Sequence, residues 1–207
     1  MQSTENIGLQ TDAAPAVKRL PILIALVIGA FFSILNETLL NVAFHRLSID
    51  LALPFTTIQW LATVYMLIVG ILVPISALLV GWFTTRQLFI GALCLFTIGT
   101  FVCGSAFGFS QLLLGRIIQA AGAGLMLPVM MNTILLLYPP ENRGAAMGSI
   151  GLVIMFAPAI GPTLGGVILD VMSWRWLFFL VLPFMIMSIL FAFIFLKNVS
   201  VITRPKV

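Results

Sequence analysis

Six apolar runs, each long enough to cross a bilayer as a helix, dominate this sequence: residues 20–44, 57–80, 88–107, 111–137, 144–169 and 174–196. A hydrocarbon core about 30 Å thick needs roughly 20 apolar residues in a helix. The expected fold is therefore all-α, a polytopic integral membrane protein of six transmembrane helices. Composition excludes the soluble alternative. Apolar residues make up 61% of the chain and charged residues only 8%, where a soluble domain carries about a quarter charged residues. A water-facing surface cannot be assembled from what remains, so the solvent must be mostly lipid. The net charge of +4 comes from scattered basic residues. None forms a basic run with exposed aromatics, so the charge gives no signal for nucleic acid.

The connections between runs are short and carry the punctuation: Leu53-Pro54, Thr84-Thr85-Arg86, Gly108-Phe109-Ser110, Pro139-Pro140-Glu141-Asn142-Arg143 and Ser173. They leave no room for a separate soluble domain. The expected organisation is a cytoplasmic tail over residues 1–19, a six-helix domain over 20–196 and a second cytoplasmic tail over 197–207. Residues 1–17 are polar, and the apolar run after Lys18-Arg19 is too long for a signal peptide.

The basic residues set the orientation. With the N-terminus inside, the inner segments hold Lys18, Arg19, Arg86, Arg143, Lys197, Arg204 and Lys206, and the outer ones only Arg46 and Arg175. The excess of positive charge on the cytoplasmic side predicts both ends inside. In that frame Trp60, Trp174 and Trp176 fall at the outer interface and Trp82 and Tyr138 at the inner one, as an aromatic belt. Cys94 and Cys103 stand 2.5 turns apart on opposite faces of one run. They fit neither a local disulfide nor a metal site and read as packing residues.

Helices in lipid pack through small residues. Candidate pairs are Gly104 with Gly108, and Ala120 with Gly124. The fifth run is the densest, with Gly144 and Gly148 near its start, then Ala157, Gly161 and Gly165 at steps of four. Pro158 and Pro162 interrupt it, which predicts a bent helix with a smooth face.

Two charges lie where lipid should not tolerate them. Glu37 is inside the first run and Arg116 inside the fourth. Each costs roughly 2.5–3.5 kcal/mol at mid-membrane, so each should face a partner or a wet cavity. At 1.5 Å per residue, Glu37 lies about 25 Å from the inner end and Arg116 about 8 Å from the outer end. Both fall in the outer half, where they could pair directly or through water. Ser33 and Asn41 flank Glu37 by one turn, Asn36 and Thr38 adjoin it, and Gln119 follows Arg116 by three residues. The set reads either as a protonatable site beside a fixed positive charge or as an ion pair holding two helices in register. Asp170 and Arg175 read as interfacial anchors, and His45 as a solvated residue at a loop edge. Asn132 reads as an interhelical hydrogen-bonding residue.

These residues also form motifs. Leu114-Gly115-Arg116-Ile117-Ile118-Gln119-Ala120-Ala121-Gly122-Ala123-Gly124 resembles the fourth-helix motif of the major facilitator superfamily. Gly161-Pro162-Thr163-Leu164-Gly165-Gly166, after Pro158, resembles the fifth-helix motif of its antiporters. Leu35-Asn36-Glu37-Thr38-Leu39-Leu40-Asn41-Val42-Ala43 is similar to the first-helix motif of the fourteen-span drug:proton antiporters, the EmrB/QacA type, and Ser173-Trp174-Arg175-Trp176-Leu177-Phe178 fits that group. The resemblance covers about residues 20–196. It implies export of lipophilic, cationic small molecules in exchange for protons, across the plasma membrane, with the proton gradient as energy source and no cofactor, metal or nucleic acid. It places Arg116 at the motif arginine linked to proton transfer and Glu37 at the first-helix acid. It places Gly161, Pro162, Gly165 and Gly166 in the antiporter motif.

The resemblance also implies a 3+3 inverted repeat, with Glu37 and Arg116 on the counterpart helices of one six-helix half. Two departures stand out. The loop Gly81-Trp82-Phe83-Thr84-Thr85-Arg86-Gln87-Leu88 lacks the acidic residue and the later basic cluster of the family pattern, and Phe44-His45 stands where relatives show Leu-Pro. The leading expectation is the N-terminal half of a multidrug exporter, truncated or split, completed by a second half or by self-association. The alternative is a six-helix protein acting as a homo-oligomer or accessory subunit without transport of its own. A membrane-embedded enzyme is disfavoured, because the chain has one histidine, no intramembrane Ser–His pair, no metal-ligand cluster and no phosphate loop.

Overall fold

The computed structural model describes residues 19–196. The remaining tail residues, and with them Lys18, Lys197, Arg204 and Lys206 of the orientation argument, lie outside the described residues. Within them all regular structure is helical: α1 (Arg19–Asp50), α2 (Phe55–Ile58), α3 (Trp60–Trp82), α4 (Thr85–Gly104), α5 (Phe109–Leu137), α6 (Pro140–Val171), α7 (Trp176–Phe179) and α8 (Leu182–Phe195). Six segments are long and apolar enough to cross a membrane, α2 with α3 forming the second and α7 with α8 the sixth. The chain is a multi-pass membrane protein.

Hydropathy locates these spans but misplaces some ends, because a helix stops where backbone geometry stops it. The first helix continues past Phe44 to Asp50, across His45 and Arg46. An i,i+4 ion pair between Arg46 and Asp50, at 3.5 Å, supports the extension. The helix ends where Ala52 adopts a positive φ of 51° ahead of Pro54. The third span begins at Thr85 under a capping box in which Thr84 and Gln87 bond each other's backbone N–H. The fifth begins at Pro140, at its first turn, where a missing N–H costs nothing. It runs through Pro158 and Pro162 as one helix.

Arginines finish three helix C-termini, whose last carbonyls otherwise lack partners. Arg175 donates twice to the carbonyl of Ala106, just past α4, at 3.2 and 2.8 Å. Arg143 donates to the carbonyls of Tyr138 and Leu135 at the end of α5. Arg86, at the start of α4, reaches the Phe193 carbonyl near the end of α8 and lies over the Phe193 ring. Arg175 is thus more than an interfacial anchor, since it also covers the Trp174 ring at 4.3 Å. Trp174 itself is 1% exposed and belongs to the core, not to the aromatic belt. Trp60, Trp82 and Trp176 are exposed.

The packing pattern has an internal symmetry. The first span packs on the fifth and sixth, and the fourth packs on the second and third. The third and sixth meet each other, as do the first and fourth. Exchanging spans one, two and three with four, five and six leaves that pattern unchanged, as an inverted repeat of three helices requires.

The helices α4 and α5 approach backbone to backbone. An added Cβ on Gly99 would run into the Gln119 backbone, one on Gly115 into Cys103, and one on Gly122 into the backbone of Ala92 and Phe96. Gly124 faces Val69 and Leu72 of α3, and Gly104 faces Phe178 and Phe179. In α6, Gly161 and Gly165 press on α1, whereas Gly144, Gly148 and Gly166 meet nothing within 4 Å. Replacing Gly99 by Leu should destabilise the bundle by about 3 kcal/mol or more, because overpacking cannot be relieved against backbone. Gly91→Leu, where an added Cβ meets nothing within 4 Å, should be neutral. Unfolding in mixed micelles measures both.

Candidate functional site

Arg116 is a large charged side chain with 1% exposure, held between α1, α3 and α4. Its Nη1 donates to Gln119 Oε1 at 2.6 Å. Its guanidinium lies 3.8 Å from the centre of the Tyr65 ring. The Nε is buried with no hydrogen-bond partner. A guanidinium can only donate, so its bond to Gln119 fixes which way that amide points. The Gln119 Nε2 then faces two acceptors, Asn36 Oδ1 at 2.7 Å and Thr100 Oγ1 at 2.8 Å. The Thr100 hydroxyl in turn donates a hydrogen bond to the Phe96 carbonyl at 2.7 Å. The Asn36 amide, oriented the same way, donates to the Leu177 carbonyl at 3.4 Å. One directed network therefore ties the first, third, fourth and sixth spans, and Gln119, fully buried, is its centre.

Glu37 takes no part in that network. It forms no ion pair with Arg116, since Arg46–Asp50 is the only salt bridge among the described residues. It lies within Coulombic range of the guanidinium. Instead the carboxylate lines a cavity of about 240 Å³ between α1, α3 and α5. Ser33, Tyr65 and Gly70 line it with the apolar side chains of Ile34, Met66, Val69, Met126 and Leu127. Tyr65 therefore has two jobs. It lines the cavity that holds Glu37, and its ring covers the buried arginine.

The remaining expected residues divide. Gln119 joins Arg116, while Asn41 is exposed and lies outside the cavity lining. Asn132 bonds no other helix among the described residues; it lines a separate cavity of about 340 Å³ with Ser76 and Pro128. Cys94 and Cys103 are free thiols. His45 and Asp170 are exposed. Sequence reasoning did not single out Tyr65 or Thr100, and it placed Asn36 merely beside Glu37. Asn36 stands about 100° around the helix from Glu37, so it was always bound to face a different neighbour.

Comparisons with known proteins establish the family and the fold. The family model described as Major Facilitator Superfamily matches residues 26–206. The chain belongs to the major facilitator superfamily. Lincomycin resistance protein LmrB of Bacillus subtilis is 50% identical over 195 residues, 94% of this chain and 41% of that protein. Multidrug export protein EmrB of Haemophilus influenzae is 35% identical over 160 residues, 77% of this chain and 31% of that protein. The chain thus spans about a third to two-fifths of the length of the curated relatives it matches. Among solved structures, a peptide transporter in complex with alafosfalin superposes with a TM-score of 0.79 at 16% identity, covering 92% of this chain and 41% of that one. A bacterial homologue of the lysosomal transporter Spinster, inward-facing and occupied, superposes at 0.73 and 18% identity, covering 93% of this chain and 47% of that one. At these identities the structures show the fold, which is that of transporters.

The fifth-span stretch that resembles the antiporter motif packs directly on the first span. Gly161 packs against Thr38, the neighbour of Glu37, and Gly165 against Leu39 and Val42. Pro158 and Pro162 are exposed, and Gly166 meets no neighbour. In the second-to-third-span loop, Thr84 caps the helix and Arg86 braces the sixth span, with no acidic partner among the described residues.

A desolvated cation–π contact contributes about 2 kcal/mol. Tyr65→Leu should therefore destabilise the protein by about that amount or more, while Tyr65→Phe, which keeps the ring, should lose much less. Equilibrium unfolding of both variants distinguishes a ring-held arginine from one held by other groups.

Proposed function

We propose that this chain is one half of a proton-coupled multidrug efflux transporter of the cell membrane. The observation that carries the reading is the half-buried Glu37 in a largely apolar cavity, on the first span of a major facilitator half. The names of relatives such as lincomycin resistance protein and multidrug export protein point the same way. A carboxylate in that setting has two competing occupants, a proton and a lipophilic cation. Exchange of one for the other is antiport, and Arg116, held fixed by Tyr65 and Gln119, biases the carboxylate electrostatically without neutralising it.

The chain supplies one wall of a pathway. Its second span leaves most of its apolar surface exposed, and a second six-helix half would cover such a face. A second copy of this chain is the alternative cover.

Everted vesicles carrying the chain, alone and together with a complementary C-terminal half, test the reading. With an imposed pH gradient, a fluorescent lipophilic cation should accumulate in the competent assembly. Glu37→Gln should reduce accumulation to the passive rate. Gradient-dependent accumulation that survives Glu37→Gln would contradict the role given to this residue.

A further inference from the structure

The cavity that holds Glu37 is small. At about 240 Å³ it falls below the roughly 300–1,000 Å³ of pockets that enclose a drug-sized molecule. It has room for a charged head beside the carboxylate and the Ser33 and Tyr65 hydroxyls, and the rest of a larger ligand must lie elsewhere. The fold offers a continuation. Met66 and Gly70 of α3 line the Glu37 cavity, and Val73 and Ala77 of the same helix line the separate cavity of about 340 Å³ that holds Asn132. Their spacings of four, three and four residues put these side-by-side positions on one stripe of α3. All four are exposed, and an added Cβ on Gly70 meets nothing within 4 Å. An open apolar track therefore joins the two cavities. Their α3 walls are centred about nine residues apart, which is about 13 Å along the helix.

The far cavity is equipped for a different group. Asn132 is half-buried inside the fourth span, and its amide has no hydrogen-bond partner among the described residues. Ser76, 1% exposed, donates its proton to the Val73 carbonyl at 2.6 Å, so it presents only lone pairs to any further partner. No charged side chain lines the space among the described residues. An unpartnered amide inside a span is costly, and a group that both donates and accepts relieves the cost. A secondary amide does so, giving its N–H to the Asn132 oxygen and taking an N–H from the Asn132 nitrogen. We propose that the Asn132 cavity is a second substrate subsite, which takes a neutral amide carried about 13 Å from an ammonium head at Glu37. The proposal rests on the cation-binding reading of Glu37 and narrows its substrate class to elongated cations with a neutral hydrogen-bonding end.

The test uses the full chain in lipid nanodiscs and three ammonium probes. N-acetyl-1,10-diaminodecane reaches from one cavity to the other, N-acetyl-1,4-diaminobutane is too short, and tridecylamine has the length but no amide. Calorimetric titration, with empty nanodiscs subtracted, gives each affinity. Each variant is compared with wild type for one probe at a time, so partition into lipid cancels. A pair of hydrogen bonds between amides is worth roughly tenfold in affinity. Asn132→Leu should therefore weaken the long amide about tenfold and leave the other two probes unchanged. Their retained binding also shows that the variant is folded. Val73→Trp, at an exposed position on the track, should weaken the long amide and spare the short one. Either variant acting equally on the long and short amides, or sparing both, would overturn the proposal. Glu37→Gln separates the two levels. It should weaken all three probes, and if it weakens none, the cation-site reading falls and the proposal with it. If it weakens all three while Asn132→Leu shows no selectivity for the long amide, the proposal alone falls.

Discussion

The structure depends on keeping one positive charge out of both water and lipid. Arg116 is 1% exposed, and no carboxylate neutralises it by direct contact. Such a charge survives only where other groups offer it negative potential. Here the Tyr65 ring face and the Gln119 carbonyl oxygen do so. Both must be brought close, and that need propagates outward. Gln119 lies one turn on from Arg116 in α5, and its amide reaches Thr100 only if α5 approaches α4 closely, which Gly99, Gly115 and Gly122 allow by having no side chain. The Gln119 amide must then find acceptors on α1 and α4, and Asn36 and Thr100 are there.

This arrangement leaves Glu37 free. Had the two buried charges paired, the acid would be an element of structure. Held by other groups, Arg116 acts as a fixed electrostatic background, while Glu37 faces a cavity and has no ion-pair partner among the described residues. The inverted-repeat packing explains why these groups sit so near one another. The first and fourth spans are counterparts that meet at the pseudo-symmetry axis, so their polar residues converge at the centre of the half. The helix ends are handled differently, by Arg86, Arg143 and Arg175 binding terminal carbonyls at the periphery.

Much of this was legible in the sequence, and the limits are physical. Six spans follow from hydropathy alone, because lipid makes apolar length nearly sufficient for a helix. The two charges that matter, Glu37 and Arg116, stand out because charge inside lipid is rare. Their relation was not legible. Similar depth made a pair reasonable, yet depth says nothing of azimuth, and an aromatic ring intervened. Tyr65 carried no warning, since a neutral aromatic residue inside a span reads as ordinary packing. Small residues marked which helices could pack closely but not which did. The glycine stripe at the start of α6 is open, whereas the tight contact is at Gly99 and Gly122. Hydropathy also ended the first helix early, because lipid thickness and helix length are separate quantities.

The central claim is that Arg116 is held by Gln119 and Tyr65 and not by Glu37. Double-mutant cycles on unfolding free energy address it directly. Arg116 should couple to Gln119 by about 1.5–3 kcal/mol, the range for a hydrogen bond to a charged group. Its coupling to Glu37 should be several-fold smaller. A larger coupling to Glu37 than to Gln119 would contradict the account and restore the ion pair as the organising contact.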